Sequence, residues 1–279
     1  MIKQYPHVET ERDGPVLIIR LDNAEAKNAL SRQMRFSLRD IVREIEEDRS
    51  IRAVYLTAKG DAFCSGGDLN MLINAHKPWE VHRRFRHANT LFPPLVTLDR
   101  PVVCGVRGWA VGGGMGLALC ADLIVAGESA QFMAGFYRIG AVPDCLTLFT
   151  LPRVVGLARA RNFLLTNGTW SAQEAAELGI AAKVVPDTEL EAEGLRLAHK
   201  LASGPADIMG FSKLLLLKSF ESSMNDLMLY EDLGQVLAMS SVEFTEGLSA
   251  LREGRRADHL RAALTDPTNN GLPLLDEPE

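Results

Sequence analysis

Residues 14–22 (GPVLIIRLD) alternate apolar with other side chains and are rich in β-branched residues, which predicts a strand. From Ser31 onward, SRQMRFSLRDIVREIEED spaces its apolar residues three and four apart behind a serine suited to cap a helix. The alternation then repeats. IRAVYLTA (51–58) reads as a strand, a glycine loop follows at 65–67, an amphipathic stretch occupies about 79–98, and VVCGV after Pro101 reads as another apolar strand. Glycines 112–114, a small-residue helix (MGLALCA) and the strand DLIVA come next. Strands alternating with helical connections predict an α/β fold with mainly parallel pairing.

From about Val154 the pattern changes. ARARNFLLT, SAQEAAELG, LEAEGLRLAHKLAS, ADIMGFSKLLLLKSF and the stretch 223–253 carry helical periodicity with little strand between them. The division expected is a core over 1–200 and a helical C-terminal region over 201–279. The tail TDPTNNGLPLLDEPE, with its Pro, Gly and Asn, is expected to be loosely ordered or draped over a neighbour.

Composition narrows the function. With 279 residues, 47% of them hydrophobic, the chain can bury a large core. A net charge of −6 gives no general attraction for nucleic acid or anionic membranes, so neither is expected as a partner, and an anionic ligand needs a local basic patch. The start, MIKQYPHVETERDG, lacks an apolar leader, and no run approaches the ~20 apolar residues of a membrane span, so a cytoplasmic location is expected. Cys64, Cys104, Cys120 and Cys145 have no metal-ligand spacing, which predicts buried free thiols and no metal site.

Two segments carry chemistry. In DAFCSGGDL (61–69) adjacent glycines follow an apolar strand, and glycine allows a backbone N–H to be turned outward toward a ligand. The plain alternative is a tight turn with Asp68 capping a helix. In RPVVCGVRGWAVGGGMGLALCADLIVA (100–126) a triple glycine opens a helix, whose N-terminal N–H groups and dipole suit an oxygen that becomes negative. Close helix–strand packing is the alternative there. One donor from each loop is how an oxyanion hole is assembled.

DNAEAKNALS (22–31), AFCSGGDL (62–69), GWAVGGGMGLALCADLIVA (108–126), SAQFMAGFYRIGAVPD (129–144), LPRVVGLARARNFLLTNGTWSAQEAAELGIAAKVV (151–185) and EGLSALREGRR (246–256) resemble the blocks of the enoyl-CoA hydratase/isomerase (crotonase) family in order and spacing. The resemblance covers roughly residues 10–260. It implies the crotonase (ClpP-like) fold, a spiral of ββα units with a C-terminal helical region, assembled as homotrimers or hexamers that act on acyl-CoA thioesters. No separate cofactor is implied, since coenzyme A is part of the substrate. By motif position, the N–H groups of Gly67 and Gly113 form the oxyanion hole. Lys27, Asn28, Ala29 and Leu30 lie near the CoA nucleotide, with Ser65, Gly66, Asp68 and Leu69 beside it. Arg255 and Arg256 match a basic stretch that reaches CoA phosphates, often from a neighbouring subunit; as bare residues they equally read as solvated surface charges.

The chain departs from the family's hydratases, which use two glutamates to activate water and protonate the α-carbon. Those positions hold Gly116 and Phe136, neither of which can move a proton. The remaining carboxylate is Asp144, and FMAGFYRIGAVPDC resembles the branch of ring-epoxide and enoyl-CoA isomerases of phenylacetate catabolism, in which an aspartate at this position moves the proton. One carboxylate serves as base and then as acid in a double-bond shift. The plain reading of Asp144 is a turn cap. Phe132, Phe136 and Tyr137 read either as acyl-pocket wall or as core, and Trp109 is equally open. Hydration through an unrecognised base, 4-chlorobenzoyl-CoA-type dehalogenation and acyl-CoA binding without turnover are the alternatives. Dehalogenation wants a histidine near Pro93, where the chain has only His82 and His87 upstream.

Overall fold

The structure is a computed structural model that describes residues 4–69, 77–88 and 90–266, without the side chains of 84, 87 and 88. The expectation for the tail falls on 267–279, outside the described residues. Among the described residues, nine strands form two sheets. β1 (Val8–Asp13) and β2 (Val16–Leu21) make a hairpin whose two-residue loop starts at Gly14, where φ is +56. A primed turn that begins in the left-handed region needs glycine at that position.

β2 pairs in parallel with β3 (Ala53–Ala58), β3 with β4 (Val102–Val106), β4 with β6 (Leu123–Gly127), and β6 with β9 (Lys183–Val185). The main sheet is therefore six strands in the order β1-β2-β3-β4-β6-β9. Its interior strands are apolar on both faces, as a covered parallel sheet requires. Val54, Leu56, Val102, Cys104 and Val106 point to the larger core beneath the helix Arg32–Glu47. Ala53, Tyr55, Val103 and Val125 point the other way, to a second core under the helix Leu190–Ala202. Tyr55 is seated there by two glycines: a Cβ on Gly105 would approach its hydroxyl to 2.3 Å, and one on Gly194 would come within 2.2 Å of its ring.

β2, β3, β4 and β6 of the main sheet are each followed by a short extended piece in a second layer. β5 (Trp109–Val111), β7 (Gln131–Met133) and β8 (Thr169–Ser171) form the three-stranded sheet of that layer. Parallel bridges Leu30↔Gly67 and Cys64↔Ala110 continue it across the earlier part of the chain. Strand, second-layer piece and helix thus recur at 16–47, 102–118 and 123–155, which is the spiral of ββα units implied by the resemblance. β1, β5, β7, β8 and β9 have no counterpart in the hydrophobic pattern. β1 (VETERD) is largely exposed, and the other four are too short to establish a period of two.

After Ala202 the described chain is helical: Ala206–Lys218, Met224–Met239, Val242–Glu253 and His259–Thr265. One buried ion pair fastens this run to the sheet. Glu243 and Arg52, each with only 2% of its side chain exposed, meet at 2.5 Å. The Arg52 guanidinium also donates to the carbonyls of Ala202 (3.1 Å) and Gly204 (2.9 Å), and the Glu243 carboxylate accepts from the Ile208 amide at 3.4 Å. A desolvated charge that loses its partner is costly, so Glu243→Leu is expected to lower unfolding stability by about 3–5 kcal/mol. The double substitution Arg52→Met, Glu243→Leu should restore much of that loss. Urea titrations of the three proteins measure it, and equal stabilities of the single and double variants would contradict it.

Candidate functional site

The two glycine loops are joined by backbone hydrogen bonds before any side chain is considered. Leu30 N–H donates to Gly66 O at 2.8 Å, Ser65 N–H to Lys27 O at 2.9 Å, Cys64 N–H to Trp109 O at 2.9 Å, and Val111 N–H to Cys64 O at 2.9 Å. Residues 27–30, 64–67 and 109–111 therefore lie side by side. In the parallel bridge between Leu30 and Gly67, Leu30 directs its own N–H and C=O into the ladder, which leaves the Gly67 N–H turned to the other side. Gly113 is the first residue of the helix Gly113–Ala118, where an N–H has no partner within the helix.

The glycines between these donors are required by space. Gly66 has φ +92, and a Cβ there would stand 2.7 Å from Val111 O and 3.6 Å from the Gly113 nitrogen. Gly112 has φ +52, and a Cβ on Gly114 would fall 2.2 Å from Cys64 O. The backbones of the two loops are thus in direct contact, as two N–H groups converging on one oxygen require.

Asp144 comes to the same place from a third segment. Gly113 lacks a Cβ; at the point where one would stand, Cys145 Sγ is 3.0 Å away, Leu30 Cδ1 3.2 Å and Asp144 Oδ1 3.9 Å. Cys145 and Leu146 both adopt left-handed conformations, with φ +53 and +60, and the Thr147 N–H closes the turn on Asp144 O at 2.9 Å. Two adjacent non-glycine residues in that region are uncommon and mark a turn that its surroundings hold in place. Burial raises the proton affinity of Asp144 above that of an ordinary aspartate. The neighbouring Cys145 thiol and the positive charge of Arg35 oppose this without cancelling it. Arg35 itself is pushed down by burial.

The turn at 144–147 also fills the space beside Gly116. A Cβ there would lie 2.7 Å from Cys145 O, 2.8 Å from Thr147 Oγ1 and 2.9 Å from Cys145 Cβ. Phe136 is buried, and its ring edge lies 3.6 Å from the position of a Cβ on Gly112. The two places where the hydratases carry glutamates therefore hold packed atoms and no carboxylate.

The remaining residues singled out in the sequence divide by position. Lys27, with φ +51, pairs through Nζ with Asp61 at 2.6 Å, and this exposed pair contributes little to stability. Asn28 is fully buried. Its amide nitrogen donates to Lys59 O and Ala62 O and its oxygen accepts from Asn23 N, so the side chain serves the loop and has no donor left for a ligand. Ala29 is half-buried and Leu30 buried, while Ser65, Gly67 and Leu69 are exposed and Asp68 half-buried. Trp109 and Tyr137 are each 43% exposed, as rings bordering an opening would be. Phe132 has no exposed surface and belongs to the main core, so the packing alternative describes it. Arg255 is bound within its own chain to Glu246 at 2.5 Å and Glu253 at 2.6 Å, which offsets its charge. Arg256 is exposed beside it.

The sequence pattern passed over Arg35. Its signal was available: the first turn of the helix Arg32–Glu47 holds Arg32 and Arg35 and no acid. Cations there oppose the helix dipole and call for an anionic neighbour, which Asp144 provides. All four cysteines are free thiols, with Cys64, Cys104 and Cys120 buried and Cys145 half-buried.

Comparison with known proteins gives the family. The Enoyl-CoA hydratase/isomerase family model matches residues 11–260. The chain is 34% identical over 241 residues to a 1,2-epoxyphenylacetyl-CoA isomerase of Escherichia coli (strain K12), covering 84% of this chain and 91% of that protein. It is also 34% identical over 260 residues to a probable enoyl-CoA hydratase of Rhodobacter capsulatus, covering 90% and 96%. A crystal structure of an enoyl-CoA hydratase/isomerase from Cupriavidus metallidurans CH34 superimposes with a TM-score of 0.88 at 27% identity, over 92% of this chain and 97% of that one. With its ββα spiral, its paired glycine loops and a family match across nearly its whole length, the chain belongs to the enoyl-CoA hydratase/isomerase family of acyl-CoA enzymes.

Proposed function

We propose that the protein is an acyl-CoA isomerase in which Asp144 moves a proton within a double-bond or ring-epoxide substrate while Gly67 and Gly113 hold the thioester oxygen. The observation that carries this reading is the placement of Asp144 Oδ1 beside Gly113, with no carboxylate at 116 or 136. The Asp144 carboxylate removes a proton from the carbon that the thioester acidifies, and the negative charge passes to the thioester oxygen between the two glycine N–H groups. The proton then returns from Asp144 to a different carbon, and the carboxylate is regenerated. Burial suits the group to both steps, because a carboxyl whose proton affinity is raised is a stronger base and still a competent acid. The E. coli relative named for an isomerase supports this reading.

Hydration needs two proton-moving groups at positions that here hold Gly116 and Phe136. A dehalogenase histidine at position 93 is replaced by a proline in the first turn of the helix Phe92–Thr97, and His82 lies exposed on the helix Pro78–Ala88. Both alternatives remain testable by product, since hydration removes the enoyl absorbance and dehalogenation releases halide.

The same reading makes the protein a homotrimer or a dimer of trimers. Met228, Leu229, Leu233, Val236 and Leu237 on the helix Met224–Met239 are each at least 55% exposed, an apolar face that self-association would bury. Sedimentation velocity at micromolar concentration is expected to give a species of three or six chains, and a stable monomer would remove this part of the proposal. Asp144→Asn is expected to cut kcat for a 3-enoyl-CoA by at least about 100-fold while leaving CoA binding intact. Undiminished turnover would refute the proton-carrier role. Because Asp144 acts as a base only when ionised, kcat/KM should rise with pH through a midpoint above the ordinary aspartate range. A steady-state pH profile checks this, and a midpoint within the ordinary range contradicts it.

A further inference from the structure

A cavity of about 550 Å³ opens outside the C-terminal ends of β2, β3, β4 and β9, the edge of a parallel sheet at which α/β proteins bind their ligands. Lys59 and Gly60 line it just beyond β3, Arg107 directly follows β4, and Leu190 closes it from the start of the helix Leu190–Ala202. It has no part in the chemistry described so far. Its wall includes Glu9, Asp187 and Glu191, and each of these carboxylates is already engaged. Glu9 meets Lys59 at 2.6 Å and Arg20 at 3.2 Å, Glu191 meets Arg20 at 2.6 Å, and Asp187 accepts from the Ser129 N–H at 3.1 Å.

Those pairs use the cations Arg20 and Lys59 and leave Arg107 over. Arg107 is half-buried, its Nε is shut off from water, and it has no hydrogen-bond or ion-pair partner among the described residues. Asp61, which feels its charge, is already paired with Lys27 at 2.6 Å. A buried donor without an acceptor is costly, so this fork calls for an acceptor from outside the described chain. Its planar geometry suits two oxygens of one phosphate. Acyl-CoA brings phosphates, and two of the cations that the motifs offered for them are spent: Lys27 on Asp61, and Arg255 on Glu246 and Glu253. Arg107 lies six residues before Gly113, which puts it within about 20 Å of that glycine, a span inside the length of an extended acyl-CoA.

We propose that this cavity is a phosphate-binding site in which the Arg107 guanidinium donates its unspent N–H groups to a phosphate. Two sources share that chemistry, the nucleotide end of an acyl-CoA and free phosphate. The first source rests on the chain's membership of an acyl-CoA family, and neither depends on Asp144 as proton carrier. Glutamine at 107 removes the charge, while lysine keeps the charge and loses the fork.

Calorimetric titration of the full-length protein with butanoyl-CoA, butanoyl-3′-dephospho-CoA and S-butanoylpantetheine tests this apart from turnover, since none of the three carries a double bond to move. Arg107→Gln is expected to weaken butanoyl-CoA binding about tenfold and Arg107→Lys about threefold, with S-butanoylpantetheine bound as in the wild type. A loss confined to the CoA ester assigns the 3′-phosphate, and one shared with the dephospho ester assigns the pyrophosphate. Should Arg107→Gln fail to fold, the same comparison with Arg107→Lys decides. If both variants bind every thioester as the wild type does, free phosphate is the ligand, and millimolar inorganic phosphate at constant ionic strength must then raise the Tm of the wild type and not that of Arg107→Gln. An equal phosphate response in wild type and variants, with thioester binding unaltered, overturns the proposal. So does a variant that weakens all three thioesters alike, because Arg107 would then only support the fold. A wild type that binds no thioester would sink the acyl-CoA reading instead, and the phosphate measurement would still decide the site.

Discussion

The backbone ladder joining residues 27–30, 64–67 and 109–111 is the constraint on which the rest of the site depends. Four hydrogen bonds of 2.8–2.9 Å hold three segments far apart in sequence at strand spacing, so the two glycine loops have no freedom to drift apart. The chemistry of the proposed function is referred to that frame. The Gly67 N–H faces away from Leu30 because the ladder uses Leu30's groups, and the Gly113 N–H has no partner within its own helix because the helix starts there. An oxygen bound between them meets donors whose orientation is set by folding, so little reorganisation is needed when charge develops.

The side chains around the frame divide into those that hold it and those to which the proposed function gives a chemical role. Asn28 belongs to the first group, with its amide spent on the carbonyls of Lys59 and Ala62. Asp144 belongs to the second, and its turn reaches the frame from a segment about thirty residues beyond the triple glycine. The C-terminal helices are tied on separately, through the buried Arg52–Glu243 pair and through Lys213 and Asp207 to Asp122 and Arg100. The catalytic frame and the apolar helical face are thus fastened at different points of the same sheet.

Much of this was legible in the sequence. The strands at 16–21, 53–58, 102–106 and 123–127 follow from apolar runs long enough to show their period, and Ser31 marks the start of the first helix as the pattern predicts. The second layer was not legible, because three-residue strands such as Trp109–Val111 are defined by their partners and carry no periodicity of their own. At the site, the glycines and Asp144 announced themselves through the motifs. Asn28 and Phe132 stand in the motifs beside exposed residues, and only the fold shows that their side chains are buried, one clamping the loop and the other in the core. Arg35 sits in an ordinary amphipathic helix, and only the fold brings it to Asp144.

The carbonyl of Cys145 pressing on Gly116 bears on how such an enzyme could change its chemistry. A side chain at 116 and the turn that presents Asp144 claim the same volume, and the atom in the way belongs to the backbone, which a rotamer change cannot move. The one-carboxylate and two-carboxylate arrangements are therefore alternative packings of one site. Under the proposed proton-carrier role, a lineage passing from one to the other would have to remodel the turn and the helix residue together, since an intermediate with both would be overfilled and one with neither would have no group to carry the proton.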